Sequence, residues 1–127
     1  MKEKSKSFIF TVDVYDARVH ILYLLSDEEV KTYVDENFPG AEYIRTRNEA
    51  AHSCIMECDG YAEYFIDFIL AVRNKIYLHD TIAHEAHHIT QYISDDRGIK
   101  SDRGNPEPEA YLLGYIVRKI TEGIFSK

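Results

Sequence analysis

The chain has 127 residues, 45% of them apolar and 29% charged, which suits one domain with a real core and leaves no room for two. A formal net charge of −7 runs against the basic footprint that phosphate binding needs, so nucleic acid is not an expected partner. There is no run of about 18 apolar residues to cross a membrane, and the N-terminal lysines are not followed by the apolar stretch of a secretory signal, so the expected compartment is the cytoplasm. The Lys2–Lys6 stretch reads as a solvated tail. Cys54 and Cys58 are the only cysteines. Four positions apart in a strand they would lie ~13 Å from each other, too far for a disulfide, and they read as small core hydrophobes.

Residues 8–14 alternate, with Phe8, Phe10, Val12 and Val14 on one face of a predicted strand. Tyr15-Asp16-Ala17-Arg18 can turn, and Val19–Leu25 is a second apolar run, so a hairpin is expected. Ser26 opens a capping box with Glu29. Val30, Tyr33, Val34 and Phe38 follow at helical spacing until Pro39-Gly40 stops the helix. Residues 41–50 are polar and carry no clear pattern. His52–Cys58 reads as a strand with Cys54, Met56 and Cys58 on one face. Asp59-Gly60 is a tight-turn pair, and about 61–69 a partner strand with Ala62, Tyr64, Ile66 and Phe68 on one face. Arg73-Asn74-Lys75 breaks the pattern, and Ile76-Tyr77-Leu78 suggests a short strand. Asp80 is a good N-cap for a helix over about 81–94, whose apolar stripe is Ile82, Ala86, Ile89 and Ile93. Residues 95–105 read as a loop. Asn105 caps a last helix, with Pro106 at its first position and Ala110, Leu112, Leu113, Ile116, Val117 and Ile120 as its apolar residues. The order is hairpin, helix, hairpin, two helices: one α+β domain with a small antiparallel sheet, spanning 1–127.

Residues 84–88 read His-Glu-Ala-His-His. Two histidines four apart share a helix face, so His84 and His88 can reach one ion. Glu85 leans toward the same ion and is placed to take a proton from an attacking water. His87 points elsewhere and reads as a surface residue. A catalytic zinc takes three protein ligands and keeps one position open. Gln91 and Ser94 stand where a metzincin continuation would place Gly and His, and no cysteine follows. The third ligand is therefore expected from a carboxylate of the last helix, Glu107 or Glu109. Tyr111 could donate to an oxyanion, though packing explains it as well. Asp80 could orient a ligand histidine, though capping explains it too. His20, His52 and His79 read as solvated or structural.

His84-Glu85-x-x-His88 followed by a glutamate on the next helix resembles the gluzincin class of zinc metallopeptidases. More narrowly, Glu107-Pro-Glu-Ala-Tyr-Leu-Leu-Gly-Tyr115 resembles the E-x-x-A-Y-L-x-G-Y segment of small phage- and mobile-element-encoded proteins of this type. The match covers mainly residues 76–118. The resemblance implies a compact minimal zincin-like domain. It implies Zn²⁺ held by His84, His88 and Glu107, Glu85 as general base, and a peptide or protein as substrate. Anchoring on Ala110-Tyr111 favours Glu107 over Glu109, and the small face through Ala110 and Gly114 would permit close helix approach. By analogy with zincins, the strand at about 61–69 could line the groove and pair with an extended substrate. The rival reading is a non-catalytic module in which zinc staples the last two helices and the surface binds a partner. Glu85 speaks against it, because a structural site has no use for a base.

Overall fold

The structure, a computed structural model, describes residues 5–45, 49–58, 61–69, 75–99 and 104–126. The elements follow the expected order: strands β1 (Lys6–Val12) and β2 (Ala17–Tyr23), helix α1 (Asp27–Asn37), strands β3 (Ala51–Cys58) and β4 (Tyr61–Phe68), helices α2 (Lys75–Arg97) and α3 (Glu107–Phe125). They build a compact α+β fold around one four-stranded sheet of order β1-β2-β4-β3.

The sheet is mixed, where a purely antiparallel one was expected. Each hairpin is antiparallel within itself, but β2 and β4 run parallel. The connection through α1 carries the second hairpin across the sheet, so β4 docks beside β2 and β3 becomes an edge. The sequence of β4 suits that interior place. Tyr64, Phe65, Ile66 and Phe68 are all buried, the near-continuous apolar run of a strand covered on both faces. Cys58 pairs with Tyr61, and the Asp59-Gly60 turn expected between them lies outside the described residues.

Helix α1 covers one face of the sheet, where Val30, Val34 and Phe38 pack on Leu22, Met56 and Phe65. Its start is the expected capping box: Glu29 N–H donates to Ser26 Oγ at 3.1 Å and Ser26 N–H to Glu29 Oε1 at 3.0 Å. On this face Asp67, fully buried, accepts two hydrogen bonds from the Arg45 guanidinium at 2.9 Å each and one from Tyr43 Oη–H at 2.8 Å. Arg45 also reaches the Leu25 carbonyl and Asp27. Cys54 packs beside Tyr43, and burial pushes its thiol up to about 12, as fits a core hydrophobe.

Helices α2 and α3 cover the other face. They run antiparallel, since His79 near the start of α2 lies 5.6 Å, ring to ring, from Phe125 at the end of α3. Their buried stripes are Leu78, Ile82, Ala86, Ile89 and Ile93 on α2, and Leu112, Ile116, Ile120 and Ile124 on α3. Each fully buried side chain of this size contributes about 1.5–3 kcal/mol.

Several local expectations are corrected. Val14 leaves the strand pattern, because Asp13–Tyr15 forms a 3-10 turn that exposes it. Asp16 then takes a left-handed backbone at φ 49°, which a short polar side chain tolerates. Ile76-Tyr77-Leu78 is not a strand but the first turn of α2, and Asp80 lies inside that helix and does not cap it. Leu78 stands four residues before Ile82 and extends the same buried stripe, while Tyr77 points to solvent; a short apolar run does not by itself separate strand from helix. At α3 the helix begins one residue later than expected, with Pro106 at the N-cap position and no side-chain cap. Lys6 is not part of a free tail. Its Nζ donates to the carbonyls of Gly123, Ile124 and Ser126 at 2.8–3.2 Å, closing the C-terminus of α3 as a cation there should.

Candidate metal centre

A helix turns about 100° per residue. Glu85 therefore lies on the flank of the Ile82–Ile89 stripe, and His88 and His84 lie progressively further toward solvent. The exposures follow that order: the Glu85 side chain is 7% exposed and that of His84 69%. This flank of α2 faces the edge strand β3. Between them opens a cleft of about 560 Å³ lined by Glu49–Ser53 on one side and by Asp80, Thr81, His84, Glu85, His88 and Tyr92 on the other.

Three ligand atoms converge there. His84, Glu85 and His88 each offer one within 4.8 Å of the others, and among the described residues no other group of three or more His, Cys, Asp or Glu does so. The two Nε2 atoms are 3.2 Å apart. Imidazole–metal bonds of about 2.0–2.1 Å at a tetrahedral angle separate their donors by roughly 3.3 Å, so the pair fits one ion. Glu85 Oε1 lies 3.9 Å from His84 Nε2. Tyr92, one turn beyond His88, lies nearly parallel to its ring at 6.4 Å between centroids. Burial, with the Glu85 charge also contributing, raises the Tyr92 pKa.

The sequence did not single out Ser53. Its Oγ–H donates to Glu85 Oε2 at 2.5 Å, and both residues are buried, the geometry of a charge-assisted hydrogen bond. The available signal was its position. Ser53 shares the inward face of β3 with Ala51, and both partner inward β4 residues, Ile66 and Phe68. A lone hydroxyl at such a place needs a polar partner from the next layer.

Glu107 is not brought to the histidines. Helix α2 runs to Arg97, nine residues or about 13 Å beyond His88, so the start of the antiparallel α3 stands past the site. The small face argued for close approach looks outward: Ala110 and Gly114 are exposed, as is Glu107 itself, and a Cβ on Gly114 would meet nothing within 4 Å. Tyr111, on the same side, is 75% exposed and neither packs in the core nor lines the cleft. Glu109 is half-buried but also stands outside the converging group.

The strand beside the site is also not the expected one. β4 is paired on both sides by β2 and β3, so among the described residues the free edge along the cleft belongs to β3. His87 is exposed, as expected. His20 is structural: it is buried, with Nδ1 2.6 Å from Tyr33 Oη and Nε2 2.7 Å from Glu63 Oε1. His52 pairs with Glu49 at 2.8 Å on the cleft rim. No helix among the described residues is long and apolar enough to cross a membrane. Set against known proteins, the chain matches no family model, no curated protein and no solved structure.

Proposed function

We propose that this protein is a zinc-dependent hydrolase acting on peptide bonds, with His84 and His88 as two of the metal ligands and Glu85 as general base. The observation that carries the reading is the convergence of two imidazole nitrogens 3.2 Å apart with a buried carboxylate beside them in an open cleft. When bound, the ion supplies a Lewis acid that polarises a carbonyl and makes a water acidic near neutral pH. Glu85 Oε1 would be the oxygen placed to accept a proton from an attacking water, since Oε2 is already engaged by Ser53 and the carboxylate presents a single oxygen for the task. The free edge of β3 gives an extended peptide a row of backbone donors and acceptors to pair with, which lays its carbonyls along the cleft toward the histidines. Glu107, the ligand implied by resemblance to gluzincins, has no part in this arrangement.

The alternative, a non-catalytic module in which zinc staples α2 to α3, draws less support, since all three converging residues sit on α2. Metal analysis of wild type, His88→Ala and Glu85→Gln tests the reading, together with a cleavage screen on unfolded proteins and peptide libraries. Wild type and Glu85→Gln should each carry about one zinc per chain, and His88→Ala should lose it. Only wild type should cleave. Equal zinc in wild type and His88→Ala would overturn the ligand assignment. Cleavage retained in Glu85→Gln would overturn the role of the base.

A further inference from the structure

We propose that Ser53 decides what Glu85 does. Its hydroxyl holds one carboxylate oxygen back against β3, so that Glu85 stays beside the metal as a base and does not become a third ligand to it. The proposal rests on the reading of His84 and His88 as metal ligands.

Ligand atoms of one tetrahedral ion stand roughly 3.3 Å apart, as the two histidine nitrogens do at 3.2 Å. Glu85 Oε1 is 3.9 Å from His84 Nε2, about 0.6 Å wider than the tetrahedral spacing but still within the group of three converging donors, so a small rotation of the side chain would bring it to a ligand position. A carboxylate beside a divalent cation is drawn toward it by charge. What resists the rotation is the bond from Ser53 Oγ–H to Oε2 at 2.5 Å, made between two buried groups and therefore not readily exchanged for water. The strand that carries Ser53 is fixed in turn, with Ser53 in register against Ile66 of β4. Ser53 is thus a positioning residue on β3 that acts through its hydrogen bond to Glu85 and so controls the third candidate donor.

Removing the hydroxyl frees Oε2 and leaves a buried carboxylate with no hydrogen-bond donor from β3. The free carboxylate then finds its compensation at the metal. The consequence runs opposite to an ordinary loss of support: Ser53→Ala should bind zinc more tightly than wild type by about tenfold, similar in size and opposite in sign to the loss usually seen when a group behind a metal ligand is removed. It should also alter the visible absorption of the cobalt(II) form, because a carboxylate would join the donor set. Ser53→Thr keeps the hydroxyl and should restore wild-type affinity and absorption. Ser53→Ala/Glu85→Gln should lose the gain, since an amide is a poor substitute ligand.

Zinc competition against a chromophoric chelator and cobalt(II) absorption on wild type, these three variants and Glu85→Gln, all folded, decide the matter without any substrate. Tighter binding in Ser53→Ala, reversed by both Ser53→Thr and the added Glu85→Gln, is the expected result. Unchanged or weaker zinc binding in Ser53→Ala, with a wild-type cobalt spectrum, overturns the role of Ser53 while leaving the two-histidine site standing. If wild type and Glu85→Gln bind neither metal, the site reading fails and this proposal fails with it.

Discussion

The two faces of the sheet each carry a polar cluster, and the clusters are built on opposite terms. On the α1 face, Asp67 is sealed from solvent and accepts from Arg45 twice and from Tyr43 once, while Arg45 goes on to Asp27 and the Leu25 carbonyl. On the α2 face, His84 is largely exposed, and its Nε2 faces the Nε2 of His88 at 3.2 Å and the Glu85 carboxylate at 3.9 Å. The first cluster has used its hydrogen-bonding capacity on the fold. The second keeps two lone-pair donors turned toward one point in an open cleft. His20 shows that residue type alone does not separate the two cases. Both of its ring nitrogens are engaged, and burial lowers its pKa below the ordinary histidine value. A histidine with both nitrogens bonded inside the protein is part of the architecture, whereas a pair with nitrogens facing each other in a cleft is available for chemistry.

The largest way to break that contrast is to open the sealed cluster. Asp67→Ala leaves the Arg45 guanidinium, whose side chain is 11% exposed, without its buried partner. Removing one member of a buried ion pair costs about 3–5 kcal/mol, and urea unfolding should register a loss of that size. The zinc response of the surviving folded fraction should be unchanged, because the two clusters lie on opposite faces of the sheet. A loss below about 1 kcal/mol would mean that the clasp behaves as a surface pair. The complementary experiment closes the open cluster. Zinc that binds only the folded chain adds about 4 kcal/mol at a thousandfold excess over Kd. Thermal melts should show this in wild type and not in His88→Ala, whose melting without metal should stay near that of wild type because His88 is only half-buried. A large destabilisation of metal-free His88→Ala would place that residue with the architecture instead.

The sequence shows α1 and the order of elements clearly, because their signals are local: a capping box at Ser26, Pro39-Gly40 after the helix, apolar alternation in the hairpins. The His84–Glu85–His88 group is legible for the same reason, since helical periodicity alone brings its members together. What escapes is whatever depends on how far an element runs or which neighbour it meets. The parallel pairing of β2 with β4 is a tertiary choice, and with it goes the identity of the edge strand, β3 in place of β4. Ser53 is silent because its partner is 32 positions away on another layer. The end of α2 misleads most. A helix that stopped near residue 94 would bring the next one closer to the histidines, but α2 continues to Arg97 and carries the turn beyond them.

The smallest predicted effects test that last point, on the outward face of α3. Gly114 sits in the interior of the helix with nothing within 4 Å of where a Cβ would be. Gly114→Ala should therefore stabilise the protein by about 0.5–1 kcal/mol, the helix-propensity difference between the two residues. If the face carrying Glu107, Ala110 and Gly114 packed closely on α2, as a ligand role for Glu107 would favour, the added methyl would be overpacked and the sign would reverse, typically by about 1–3 kcal/mol. Glu107→Ala should lose only the favourable placement of a carboxylate in the first turn, about 0.3–1 kcal/mol, and should keep the full zinc-dependent rise in Tm. Glu109→Ala should do the same. Melts of the three variants with and without zinc read both quantities at once. A destabilised Gly114→Ala together with a Glu107→Ala that no longer responds to zinc would put α3 at the metal and return Glu107 to the ligand set. A stabilised Gly114→Ala with two zinc-responsive glutamate variants leaves the metal with donors from α2 alone, so that its occupancy follows His84, His88 and the freedom of Glu85.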